Sequence, residues 1–90
     1  MSASNTRVNV RTRQFASTTT FAAPLEGGVD SVFGVLAGTE DVYLSIGHDT
    51  PTVATSILVP AGTGFELQFG VVGPVFIRTD AASTVSVYGA

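Results

Sequence analysis

Residues 57–79 read I-L-V-P-A-G-T-G-F-E-L-Q-F-G-V-V-G-P-V-F-I-R-T, and this stretch decides the fold class. Phe65, Leu67 and Phe69 alternate with Glu66 and Gln68, the period-2 pattern of a strand with one buried face. Val75 and Ile77 alternate with Phe76 and Arg78 in the same way. Pro60 and Gly62 mark the turn into the first run. Residues 70–74, G-V-V-G-P, form a glycine-bounded connection of the length expected for a longer hairpin loop. The two runs are therefore expected to pair, with Phe65, Leu67, Phe69, Val75 and Ile77 as core and Glu66, Gln68 and Arg78 on the outer face.

The same pattern extends in both directions. Val42, Leu44 and Ile46 alternate with Tyr43 and Ser45, which predicts a strand with the first three facing in and the other two facing out. Residues 29–37 hold Val32, Phe33, Val35 and Leu36 in a short run interrupted by Gly34, and residues 84–88 read T-V-S-V-Y. β-Branched Thr18, Thr19 and Thr20 favour a further strand over 17–22, and 52–59 reads as a less regular one. Turns fall at 27–28, 38–41, 47–51 and 80–83. No window has a helical apolar period free of glycine and proline. Short strands separated by turns every 8–12 residues or so predict an all-β chain, a small β-sandwich, jelly-roll-like or a related barrel. Residues 1–14 are expected to be an extended N-terminal arm and residues 15–90 a single domain.

Composition limits what such a domain does. Ninety residues make one domain, and the absence of cysteine removes disulfides and thiolate metal sites as staples. Charged residues make up 12% of the chain, against about 25% in typical soluble domains, while 44% of residues are hydrophobic. A folded body so poor in charge is expected to cover part of its surface with protein, most simply by homo-oligomerisation. No apolar run is long enough for a transmembrane helix, and the polar start lacks a signal-peptide core, so production in a cytoplasm is expected.

Charge is also uneven. The first thirteen residues contain Arg7, Arg11 and Arg13 and no acid, a charge of +3. The remainder contains Arg78 against seven acids, a charge of −6. Three arginines without lysine or interleaved aromatics are a weak footprint for nucleic acid, and no nucleic-acid or membrane partner is expected. A solvated terminal strand, or an arm lying on an acidic protein neighbour such as a second copy, accounts for them better.

Residues for chemistry are sparse. The single histidine, His48, lies beside Asp49 on a loop, where adjacent side chains point apart and no nucleophile motif accompanies them. Three copies of His48 meeting at a symmetry axis would be one way to hold an ion. Glu66 and Asp41 are outward carboxylates of the type glycosidases pair across a cleft, but solvated sheet charges are the simpler reading. Residues 62–64, G-T-G, precede a strand rather than a helix and no lysine follows, so no phosphate loop forms. Residues 60–64 share the proline–glycine spacing of the second cupin motif, yet Phe65, Glu66 and Leu67 stand where its metal-binding histidine would be. No catalytic residue, cofactor or metal is expected. Tyr43, Phe76 and Tyr88 fall on outward positions, where they would serve an oligomer interface or, in a carbohydrate-binding module, a sugar platform.

Over 41–90 the series V-Y-L-S-I-G, L-V-P-A-G, F-E-L-Q-F, G-P-V-F-I-R-T and T-V-S-V-Y resembles the C-terminal part of small virion proteins of tailed bacteriophages. The resemblance implies a non-enzymatic structural role in the virion, with assembly in the host cytoplasm. Within that class it suggests a capsid decoration (cement) protein that binds the head surface as a homotrimer. Its partners would then be itself and the major capsid protein or other virion subunits. Arg7, Val8, Val10, Arg11, Arg13 and Phe15 would be the arm contacts. A tail, fibre or baseplate component and a carbohydrate-binding sandwich are the alternatives.

Overall fold

The computed structural model describes residues 10–25, 29, 31–68 and 73–90. Seven strands form among them: β1 Arg11–Ser17, β2 Val32–Leu36, β3 Val42–Ile46, β4 Ile57–Val59, β5 Gly64–Gln68, β6 Val75–Thr79 and β7 Ser83–Gly89. They make a four-stranded sheet, order β1-β7-β2-β5, and a three-stranded sheet, order β4-β3-β6. All neighbours are antiparallel. The chain is a small all-β sandwich.

Its winding follows from one long self-pairing. Arg11 is opposite Gly89, Ala22 opposite Ile77, Val29 opposite Gly73, Val32 opposite Gln68 and Val42 opposite Val59. Partner numbers fall steadily as the chain advances, so the described strands form one antiparallel ribbon with its tip at 47–56. The ribbon then rolls up: β7 hydrogen bonds to β2 as well as to β1, and β6 to β3. A rolled double-stranded ribbon forming two sheets is the winding of a jelly roll.

The two runs that were expected to form a hairpin do not pair. β5 lies in the first sheet beside β2, and β6 in the second beside β3. Alternation reports that each strand has a buried face, but not which strand lies alongside. Phe69 falls outside the described residues. Val75 and Ile77 are buried as expected, and Phe65 and Leu67 are partly buried against the core. That core also holds Phe33, Val35, Val42, Leu44, Val59, Val85 and Val87, mostly β-branched residues that suit a pleated surface.

Three further expectations are corrected. The strand expected at 17–22 is instead β1 ending at Ser17, followed by a crossing to the second sheet. There the Thr18 carbonyl accepts from the Thr79 amide at 2.9 Å, and Ala22 exchanges backbone hydrogen bonds with Ile77. A buried hydroxyl pair, Thr79 Oγ1 to Ser17 Oγ at 3.2 Å, ties this crossing down. The strand expected at 52–59 is β4 alone, preceded by a 3-10 turn at Val53–Thr55 with a reciprocal Thr52–Thr55 cap. Such a threonine box satisfies amides that a strand would need a neighbour to satisfy. Ser45, placed on the outer face by alternation, is buried, and its hydroxyl has no hydrogen-bond partner.

Gly62, with φ 75, turns the chain from β4 to β5, a backbone conformation that disfavours side chains. Its amide donates to the Gly38 carbonyl at 3.0 Å, while the Ala37 amide donates to the Thr63 carbonyl at 2.9 Å. The crossing between sheets is therefore hydrogen bonded on both sides.

Two substitutions test this packing by chemical denaturation. Phe33→Ala is expected to cost about 3–5 kcal/mol through the cavity it opens at the centre of the sandwich. Ser45→Ala is expected to leave stability unchanged or raise it by up to about 1 kcal/mol, because it removes a buried hydroxyl without a partner. A clear loss of stability in Ser45→Ala would mean that the hydroxyl is satisfied in solution.

Candidate functional site

The two sheets present different outer faces. On the second sheet, Tyr43 and Arg78 are directly opposed on β3 and β6. The Arg78 guanidinium lies 5.3 Å from the centre of the Tyr43 ring, and Arg78 Nη1 meets Asp80 Oδ1 at 3.1 Å. Tyr43 Oη donates to Asp80 Oδ2 at 3.3 Å, and Arg78 Nε donates to the Thr19 carbonyl at 2.8 Å. Ring, guanidinium and carboxylate form a closed set that clamps the sheet-crossing segment onto the edge of β6. Phe76, opposite Ser45, is half-buried.

On the first sheet the outer face is hollow. A depression of about 810 Å³ lies across all four strands, lined by residues that include Thr12, Gln14, Leu36, Glu66, Ser86 and Tyr88. Gly64 lines the hollow, and Gly34 lies under the Tyr88 ring. Thr12, Tyr88, Gly34 and Glu66 form one row across the sheet, and Gln14, Ser86, Leu36 and Gly64 the next. Without a side chain at Gly34, the Tyr88 ring tip settles over β2, and a Cβ there would collide with Cε1 and Cζ of that ring. The ring thus leans toward β5, where Glu66 is the next residue in the row. Gln68 Nε2 donates to Glu66 Oε1 at 2.6 Å and orients the carboxylate. Leu36 is exposed within the hollow.

The residues of the expected arm are divided. Arg7 and Val8 lie outside the described residues. Val10 is exposed just before β1, and Arg11, Arg13 and Phe15 belong to β1 itself, as does Gln14. The span expected to be a free arm, 1–14, therefore includes the start of an edge strand whose partners run from Gly89 back to Ser86. Phe15 packs against the core, with the Arg13 guanidinium 5.3 Å from its ring centre and Arg13 Nη1 donating to the Pro24 carbonyl at 3.2 Å.

Asp41 precedes β3 of the second sheet while Glu66 lies on β5 of the first, and Asp41 Oδ1 instead accepts from the Ala61 amide at 2.8 Å, fixing the start of the β4–β5 turn. His48 and Asp49 are exposed on the tip of the ribbon. Among the described residues no three His, Cys, Asp or Glu side chains gather where they would hold a metal. No helix of the described residues is long and apolar enough to cross a membrane.

A second exposed feature lies at the ribbon tip and β4. Val53, Ile57 and Leu58 are 48%, 44% and 51% exposed within one short stretch of sequence. β4 is an edge strand, so its outer backbone groups are also available for pairing.

Sequence reasoning missed the Tyr88–Gly34–Glu66 row. A signal was present: a glycine inside an otherwise apolar strand marks either a bulge or the close approach of another group. No family model, curated protein or solved structure matches the chain.

The clamp on the second sheet gives a test of its own. Arg78→Met keeps an apolar stem on Tyr43 but loses the bond to the Thr19 carbonyl, and should cost about 1 kcal/mol. Hydrogen exchange should show faster opening of the Ala22 amide in particular. Asp80→Asn should cost less, because Asp80 is 60% exposed and its pair with Arg78 is screened by solvent.

Proposed function

We propose that the chain is a structural protein of a tailed-bacteriophage virion, of the capsid decoration type, working as a homo-oligomer without catalysis. The observation that carries this reading is the exposed apolar stretch of Val53, Ile57 and Leu58 beside the open edge of β4. Three large apolar side chains next to unpaired backbone are costly to leave in water and suit burial against another protein. The low charge content supports the same conclusion, and so does the resemblance of 41–90 to small virion proteins. A sandwich held together by chain-long pairing offers a rigid body, and clamping a shell needs contact area spread over several subunits rather than a reaction. In this reading the contacts to neighbouring virion subunits, another copy of the chain or the capsid protein, come from the N-terminal residues, including Arg7, Val8 and Val10. Tyr43, Phe76 and Tyr88 are further candidates for subunit contact.

Sedimentation of the purified chain should give a defined oligomer, a trimer in the decoration-protein reading, and Leu58→Asp should shift it toward monomer without unfolding it. A wild-type chain that stays monomeric at high concentration would contradict the proposal. Deletion of residues 1–9, which spares β1, should leave the melting temperature within a few degrees of wild type but abolish attachment to capsids. Unchanged decoration by the truncated protein would remove the N-terminal residues from the capsid contact.

A further inference from the structure

Each sheet carries one tyrosine on its outer face, and the two have different surroundings. Around Tyr43 the set is complete: an arginine over the ring and a carboxylate, Asp80, that holds both the guanidinium and the phenol. Around Tyr88 the ring and the carboxylate recur, with Glu66 next in the row beyond Gly34. Arg13 lies over Phe15 and Arg78 over Tyr43, and neither guanidinium is at Tyr88. A tyrosine ring and a carboxylate in one row, with a hollow in front of them, are complementary to a planar cation.

We infer that the hollow on the four-stranded sheet receives Arg7 from the N-terminal segment, residues 1–9, of a second copy of the chain. This inference rests on the oligomeric reading above and names the contact that would join neighbouring subunits. Charge complementarity supports it. Glu66 and Arg13 are the charged residues lining the hollow, and Arg13 is committed to Phe15 and Pro24 on the opposite face of β1. The hollow therefore presents net negative charge, while residues 1–9 carry one arginine, Arg7, and no acid.

Length supports it as well. An extended three-residue link places Arg7 roughly 10 Å from Val10, to which its own long side chain adds reach. Arg7 is only three residues before Val10, which leads directly into β1. Reaching the hollow of its own sheet would require the chain to reverse within those three residues, whereas entry from a neighbour requires no reversal. In the bound arrangement the guanidinium stacks on Tyr88 and donates to the Glu66 carboxylate, and Gln14, Ser86 and Thr12 supply polar groups around it.

Charge reversal in the full-length chain tests the inference. Arg7→Glu and Glu66→Arg are each expected to weaken self-association at least about tenfold by sedimentation, and the double variant to recover to within about twofold of wild type. Glu66→Gln, a conservative change at an exposed position, should weaken it by about fivefold. Circular dichroism should show all four variants folded. A second readout uses Tyr43→Phe, which leaves Tyr88 as the sole tyrosine in a chain without tryptophan. Its fluorescence should change with concentration across the association, and that change should disappear with Arg7→Glu.

If wild type is oligomeric and the single reversals leave association unchanged, the arginine contact is wrong while the oligomeric reading stands. If wild type is monomeric, both fall. Saturation of the Tyr88 signal by a neutral oligosaccharide such as chitohexaose, with no response to the reversals, would overturn the inference in favour of a sugar site.

Discussion

Backbone pairing of the chain with itself, end to end, is the constraint on which the rest of this structure depends. Every buried amide and carbonyl must find a partner, and here most do so across one antiparallel ribbon running from Arg11 opposite Gly89 to Val42 opposite Val59. Rolling the ribbon gives β7 and β2 in the first sheet, and β3 in the second, neighbours on both edges. It also brings the apolar faces of the two sheets together around Phe33, Leu44 and Ile77, all three fully buried. The remaining edges are treated differently. That of β6 is covered by the crossing segment at 18–22, held by Arg78 and the Ser17–Thr79 hydroxyl pair. β1 and β5 are the terminal strands of the first sheet, and β4 is the other terminal strand of the second.

The two outer faces follow from small differences in residue choice at equivalent positions. Tyr43 stands opposite an arginine, and the result is a satisfied clamp. Tyr88 stands opposite a glycine, and the result is a hollow with a ring leaning over its floor and a carboxylate beyond. The molecule thus carries a hollow on the outer face of one sheet and exposed apolar residues on an edge strand of the other.

Much of this was legible in the residues, though unevenly. The alternation that begins at Phe65, at Val75 and at Thr84 identified strands, and Val75 and Ile77 lie in the core as their parity demands. Alternation failed at Ser45, which has outward parity but is buried, because parity describes a side of the sheet and not whether that side is covered. Propensity failed at Val53–Thr55, where β-branched residues form a 3-10 turn since Thr52 and Thr55 cap each other. The charged start reads as a solvated terminal strand or an arm on a protein neighbour; Arg11 and Arg13 lie in the edge strand β1, where Arg13 lies along Phe15 and its guanidinium reaches the Pro24 carbonyl. Long arginine side chains cover apolar surface while keeping their charge in water.

The sequence by itself determined that this protein is all-β, that it lacks cysteine and is sparingly charged, and that its basic charge is concentrated at one end. These are properties of local pattern and composition, read one residue or one strand at a time. Only the tertiary structure decided that 64–68 and 75–79 belong to different sheets, that Tyr88 leans over Gly34 toward Glu66, and that Asp41 serves a turn while Glu66 faces a hollow. Strand partners are chosen by which apolar faces meet when the ribbon rolls, a contest among distant segments that no local period records. The candidate contact surfaces are made of rows that cross strands, so they exist only after that contest is settled.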